Sequence, residues 1–238
     1  MNIAIIIAGG TGHRFGADIP KQFVTVNNEP VIWYTLRIFQ DAKCIDRIVL
    51  VCAKEWEDFI KKLKSTHQLS KLTDIVKSGD TRFNSIYNGI FFCCSQYDKQ
   101  DTLIIHDAVR PCITEELLEN NINMARLHGA ALAAAPCFDT MFIISNGKLA
   151  EGIYPREKLC KGQTPISIKA ELAAECYQKA VDYQLNIDSP AALLLQLGKK
   201  VALSKGSQQN IKITTKEDLK ILDSPGFGEH IIDNMHPL

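Results

Sequence analysis

Along the first half of the chain, short stretches of unbroken apolar character alternate with stretches in which apolar residues recur at helical spacing. The unbroken stretches are 2–7 (NIAIII), 47–52 (RIVLVC), 74–76, 102–105 and 130–135. The periodic ones are 30–39, 55–64, 84–94 and 115–127. A strand that is apolar at every position is buried on both faces, as happens when helices cover both sides of a parallel sheet. The pattern therefore predicts βαβ crossovers and an α/β fold, a Rossmann-like, mostly parallel sheet with helices on both faces. Ligands of such sheets sit beyond the carboxyl ends of the strands. That rule gathers three loops on one edge: the glycine-rich stretch after 2–7, then 79–82, then 106–111.

The rhythm changes after Pro136. Residues 138–156 alternate around Asn146-Gly147, a strong hairpin signal, and predict a protruding β-hairpin arm that packs on a second subunit. The chain then returns through Gly162-Gln163-Thr164-Pro165 to helices at 169–183 and 189–197 and a last strand near 200–204. Thr215 is expected to cap a final helix, with Asp218 at its third position. Residues 1–238 read as a single domain in which 138–157 form the arm, with the tail 224–238 loosely ordered.

Composition narrows the class. Of 238 residues, 46% are hydrophobic, enough for a substantial core. Lys plus Arg and Asp plus Glu are both 27, a balance that points away from nucleic acid and membrane surfaces. The eight cysteines contain no C-x-x-C pair and mostly lie in apolar runs, so buried reduced thiols are expected. With neither a leader pattern nor an apolar stretch long enough to span a bilayer, the chain reads as cytoplasmic.

Candidate chemistry begins at Ala8-Gly9-Gly10-Thr11-Gly12-His13-Arg14-Phe15-Gly16. Glycines after a buried strand let backbone N–H groups approach an anion, and Arg14 and Lys21 add charge beside them. A dinucleotide fingerprint is disfavoured because Phe15 stands at its third glycine position and Lys54, not an acid, follows the second strand. No Gly-Lys-Ser/Thr follows the glycines, so the loop is not a P-loop, although an ordinary glycine-rich βα turn stays open. Asp107 and Arg110 could form a local ion pair, and Asp107 could also bind Mg²⁺ or a ribose. His13 and His106 have no evident partner and read as structural or as supports one step behind the site. No hydrolase signature is present.

Taken together, Ala8 to Arg14, Pro20-Lys21-Gln22, Gly79-Asp80-Thr81-Arg82-Phe83-Asn84-Ser85, His106-Asp107-Ala108-Val109-Arg110-Pro111, Gln163-Thr164-Pro165 and Asn210-Ile211-Lys212 resemble one family in order and spacing. It comprises the cytidylyltransferases that join CTP to a polyol phosphate, with a methylerythritol-phosphate branch and a ribitol-phosphate branch. The resemblance implies a nucleotidyltransferase, glycosyltransferase-A-like fold, a Mg²⁺-dependent reaction releasing pyrophosphate, and a homodimer with a shared active site. It implies Arg14, Lys21, Lys212 and Asp107 as catalytic residues, with Asp107 also on the metal. Ala8, Gly9, Gly10, Thr11, Gly12, Gly79, Asp80, Arg82 and Ser85 would bind the nucleotide. Ala108, Arg110, Thr140, Arg156 and Thr164 would meet the polyol phosphate, Arg156 from the partner's arm.

Physical chemistry agrees with a cationic site. Two unit charges at 5 Å repel by roughly 3 kcal/mol at an effective dielectric of 20, and a phosphate attacking a triphosphate brings several such pairs together. Positioned cations are needed more than a base. Val109, Gln209 and Gly162-Gln163-Thr164-Pro165 resemble the ribitol branch. Phe142, Ile166 and Asp188-Ser189-Pro190 depart from both branches, which leaves a third polyol phosphate open. A nucleotide-binding module without catalysis and a glycine-loop dehydrogenase are the competing classes.

Overall fold

A computed structural model describes residues 1–10, 15 and 19–223. Thr11, Gly12, His13, Arg14 and the tail 224–238 lie outside the described residues. In chain order the elements are β1 (Asn2–Ile7), β2 (Thr25–Val26), β3 (Glu29–Pro30), α1 (Val31–Asp41), β4 (Arg47–Cys52), α2 (Glu57–Thr66), β5 (Leu72–Lys77), α3 (Arg82–Gln96) and β6 (Thr102–Asp107). They continue with α4 (Glu115–His128), β7 (Ala130–Pro136), β8 (Met141–Ser145), β9 (Leu149–Tyr154), β10 (Cys160–Lys169), α5 (Ala170–Asp182), α6 (Pro190–Gln196), β11 (Ala202–Lys205) and α7 (Lys220–Asp223).

Seven of the described strands form one sheet in the order β11-β7-β10-β6-β1-β4-β5. β1 pairs in parallel with β4 and β6, β4 with β5, and β7 with β11, whereas β10 runs antiparallel to both of its neighbours. The unbroken apolar runs have the cause expected of them. Along β1, Ala4 and Ile6 enter a core with Leu36 and Phe39 of α1, Ile60 of α2 and Leu118 of α4. Ile3, Ile5 and Ile7 enter the opposite core with Ile86 and Ile90 of α3, Tyr177 of α5 and Leu193 of α6. Each fully buried isoleucine contributes on the order of 2 kcal/mol of transfer free energy, so one run stabilises two layers. β4 repeats the arrangement, with Ile48 and Leu50 on one side and Val49 and Val51 on the other.

One strand departs from the sequence reading. Gly162-Gln163-Thr164-Pro165 has the composition of a loop, and proline is ordinarily excluded from a central strand. Yet these residues lie inside β10, where the pairing with β7 shifts register between Gly162 and Ile166. The bulge absorbs the proline, and Ile166, Ser167 and Ile168 then pair with Ile105, Ile104 and Leu103 of β6. Because β7 and β10 are antiparallel neighbours, the segment joining them has to turn back on itself. The hairpin β8–β9 is that segment, and it leaves from the edge where β1, β4 and β6 also end.

At the other end of the chain, the Asp218 carboxylate accepts from the backbone N–H groups of Thr214 (2.7 Å) and Thr215 (2.8 Å). That is the acidic half of the expected cap, although the helix itself begins later, at Lys220. All eight cysteines are free, and burial pushes the Cys93 and Cys112 thiols up to about 12. Cys160 is exposed, against the expectation for the set. Among the described residues no helix is long and apolar enough to cross a membrane.

Candidate active site

The sheet changes winding direction between β1 and β6, and such switch points leave a crevice beyond the strand ends. Two glycine-bearing loops close together there. A Cβ added to Gly9 would fall 2.5 Å from the Cβ of Ser78, and one added to Gly79 would fall 2.3 Å from that of Asn84. Close backbone approach is therefore what requires glycine at both positions. The second loop is also braced as a helix start. Thr81 caps α3 by accepting from the Asn84 N–H at 3.1 Å, and Ser85 Oγ accepts from the Gly79 N–H at 3.1 Å while donating to the Thr81 carbonyl at 3.0 Å. Ser85, expected at the nucleotide, thus also shapes the loop that lines the crevice.

Asp107, the last residue of β6, collects the charges. Its Oδ1 is 2.9 Å from Arg82 Nη2, and its Oδ2 is 3.0 Å from Lys212 Nζ and 3.5 Å from Arg110 Nε. Burial by itself would raise this carboxyl; the Arg82 and Lys212 charges, the Arg82 hydrogen bond and the Arg110 charge outweigh it and hold the group far below the usual carboxylate range. Arg82, expected at the nucleotide, also holds the wall together. Its second guanidinium nitrogen donates to the Asp188 carbonyl, which ties α3 to the segment before α6.

Lys212 is placed by two motifs that lie far apart in sequence. The Gln163 carboxamide donates to the Ser207 carbonyl at 2.7 Å and accepts from the Ser207 N–H at 3.2 Å. Asn210 Nδ2 donates to the Thr164 carbonyl at 2.8 Å, and Arg110 Nη1 donates to the Asn210 carbonyl at 2.8 Å. Ile213 N–H donates to the Val109 carbonyl at 2.9 Å. The bulged part of β10 therefore grips the chain before Lys212, while Arg110 and Val109 of the loop after β6 hold Asn210 and Ile213 on its two sides. Gln163 and Asn210 belong to the family motifs, and the one signal of this task in the sequence is their amide side chains, able to donate and accept at once.

The result is a cleft of about 350 Å³ walled by Ala8, Gly9, Gly10, Gly79, Asp80, Arg82, Lys21, Asp107 and Lys212. Lys21 opens the short 3₁₀ turn Lys21–Phe23. Other expected contacts lie elsewhere in this chain. Ala108 is fully buried, its carbonyl accepting from Thr35 Oγ1 at 2.9 Å. Thr164 stands behind the wall, where its Oγ1 accepts from the Asp107 N–H at 3.1 Å. Arg110 supports the cleft from behind through Asp107 and Asn210. Thr140 and Arg156 are exposed at the arm, where Arg156 Nη1 donates to the Phe138 carbonyl at 2.9 Å. His106 is fully buried with its Nε2 3.1 Å from the Arg110 carbonyl oxygen, and desolvation pushes it down to about 4, so it is neutral near pH 7.

The donor set does not form a Mg²⁺ site from protein groups alone. Mg²⁺ asks for open oxygen ligands in octahedral array, whereas both Asp107 oxygens are taken up by cations and Asp80 is exposed at the rim. What the cleft offers is positive charge beside backbone glycines, an arrangement suited to a polyanion.

A mostly parallel sheet with a cationic, glycine-walled crevice at its switch point has the form of a nucleotide-binding α/β protein. The family model described as "IspD: 2-C-methyl-D-erythritol 4-phosphate cytidylyltransferase" matches residues 2–224. A protein of Clostridium novyi named 2-C-methyl-D-erythritol 4-phosphate cytidylyltransferase is 34% identical over 98% of this chain and 97% of its own length. A ribitol-5-phosphate cytidylyltransferase of Vibrio parahaemolyticus is 32% identical over 93% and 94%. The crystal structure of 4-diphosphocytidyl-2C-methyl-D-erythritol synthase from Anaerococcus prevotii superposes with a TM-score of 0.77 at 29% identity, covering 93% of this chain and 95% of that one. The chain belongs to the IspD family of cytidylyltransferases and is an enzyme of the nucleotidyltransferase class.

Proposed function

We propose that this enzyme transfers CMP from CTP to a polyol phosphate, releasing pyrophosphate, with D-ribitol 5-phosphate as the preferred acceptor. The observation that carries the reading is Lys212, held by Asp107, which Arg82 and Arg110 also pair, in the cleft that the glycine loop and Lys21 line. An acceptor phosphate oxygen is already ionised at neutral pH and needs no general base. It attacks the α-phosphorus of CTP, the bond to the bridging oxygen breaks, and pyrophosphate leaves with the electron pair. Lys212 neutralises charge at the α-phosphate, and Lys21 does so on the departing pyrophosphate together with Arg14, which lies outside the described residues. A Mg²⁺ ion would be held by the triphosphate and supply further charge neutralisation, while Asp107 pairs with Arg82, Arg110 and Lys212. Balanced charge and reduced thiols support a cytoplasmic setting.

The acceptor is the finer question. Relatives of both names match at nearly the same identity, 34% and 32%, so similarity does not choose between them. Val109 at the cleft wall supports ribitol phosphate, whereas the family model supports methylerythritol phosphate as the second reading. Pyrophosphate release from CTP, followed with each polyol phosphate in turn, tests both. Turnover with ribitol 5-phosphate is expected; turnover with methylerythritol phosphate alone would reverse the preference, and none with any acceptor would end the catalytic reading.

We also propose a homodimer in which Thr140 and Arg156 of each arm serve the partner's cleft. β8 and β9 expose apolar side chains on both faces, among them Ile144 (64%) and Leu149 (71%), an extent unusual for a surface that stays in water. Dilution through the dimer dissociation range should abolish activity in step with dissociation. A fully active monomer, identified by light scattering at the assay concentration, would contradict the shared site.

A further inference from the structure

One buried side chain at the cleft is not used by the transfer chemistry. Gln22 is 3% exposed, and its Nε2 donates to the carbonyls of Ala8 at 2.6 Å and Gly10 at 2.8 Å. A carboxamide nitrogen carries two hydrogens, and here each has an acceptor. Both acceptors belong to the glycine loop. Carbonyl oxygens at the wall of an anion site repel the ligand, and Gln22 draws two of them toward itself. In a trans peptide the N–H points opposite to the carbonyl, so fixing the Ala8 carbonyl also fixes the direction of the Gly9 N–H.

Gln22 is also the residue after Lys21, within the same 3₁₀ turn. That turn is anchored from behind. Phe23 N–H donates to the Pro20 carbonyl at 2.9 Å. The Phe23 ring stacks on Trp56 with centroids 4.0 Å apart and meets the edge of Phe59 at 5.5 Å. A rigid turn that carries Lys21 is therefore bolted to the glycine loop through one amide group. We infer that Gln22 is a positioning residue that holds Lys21 and the glycine loop in one register for the β- and γ-phosphates.

This inference rests on the reading of the cleft as a CTP site, and CTP binding to the unaltered enzyme is measured first; failure there counts against that reading. With binding established, Gln22→Met, which has similar length but no donor, is compared with the unaltered enzyme for CTP and for CMP. CMP lacks the two distal phosphates and reports on the rest of the site. Loss of two hydrogen bonds is expected to weaken CTP by about tenfold or more while CMP affinity changes less than about twofold. In turnover, KM for CTP rises and KM for the polyol phosphate holds. Equal weakening of CTP and CMP, or no weakening of either, overturns the inference. Should Gln22→Met not fold, Gln22→Asn, whose shorter side chain withdraws the donors from both carbonyls, is judged by the same criteria. Failure of both to fold would assign Gln22 to the core and also overturn it.

Discussion

Replacing Lys212 with methionine will slow CMP transfer by about 10²–10³-fold, the usual cost of removing one preorganised donor from developing charge. Methionine keeps much of the stem and removes the ammonium group. The backbone around position 212 does not depend on that ammonium, because Asn210 is held by Thr164 and Arg110 and Ile213 by Val109. Asp107 retains Arg82 and Arg110 as partners. The fold should therefore survive, with the melting temperature moved by only a few degrees. Kinetically, kcat should fall more than KM for CTP rises, the mark of an interaction made chiefly in the transition state. Turnover within fivefold of the unaltered enzyme would remove Lys212 from the catalytic set.

Asp107→Ala should damage stability as well as rate. The carboxylate is all but buried and faces three cations, whose side chains are 25% (Arg82), 13% (Arg110) and 36% (Lys212) exposed. Without it these charges repel one another across a poorly solvated space. Breaking a buried pair costs about 3–5 kcal/mol, and the partial exposure of Arg82 and Lys212 puts the expected loss near the lower figure. Chemical denaturation measures it directly. The folded-state carboxyl is depressed, so its contribution is complete above the unfolded pKa of about 3.9 and is lost as pH falls below that value. The unaltered enzyme should therefore lose stability more steeply than Asp107→Asn on going below pH 4. Parallel curves for the two proteins would show that Asp107 is not the charge that binds the cluster.

Much of the fold was legible before any coordinates. The run NIAIII and its successor RIVLVC announced doubly covered strands because burial on both faces leaves no polar position to interrupt them. Asn146-Gly147 announced the arm because few other dipeptides turn so tightly. β10 was not legible: Gly162-Gln163-Thr164-Pro165 has the local chemistry of a turn, and the strand exists because β6 and β7 present open edges on either side. A bulge made the proline tolerable, and no local rule states when neighbours will supply that opportunity.

The site divides in the same way. Residue types and strand direction were sufficient to single out Lys21 and Asp107 and to expect positive charge beside glycine at the strand ends, whereas Lys212 was named only by the family resemblance of Asn210-Ile211-Lys212. Their tasks came from contacts between distant segments. Thr164 and Ala108 stand behind the wall in this chain, Arg82 divides itself between Asp107 and Asp188, and Asp107 is already occupied by cations. Hydrogen-bond partners separated by fifty or a hundred residues depend on how layers pack, and packing is a property of the assembled sheet and helices rather than of any local stretch. Chain order could thus establish which groups meet at the edge. The folded arrangement settled which of them face the cleft and which hold the others in place.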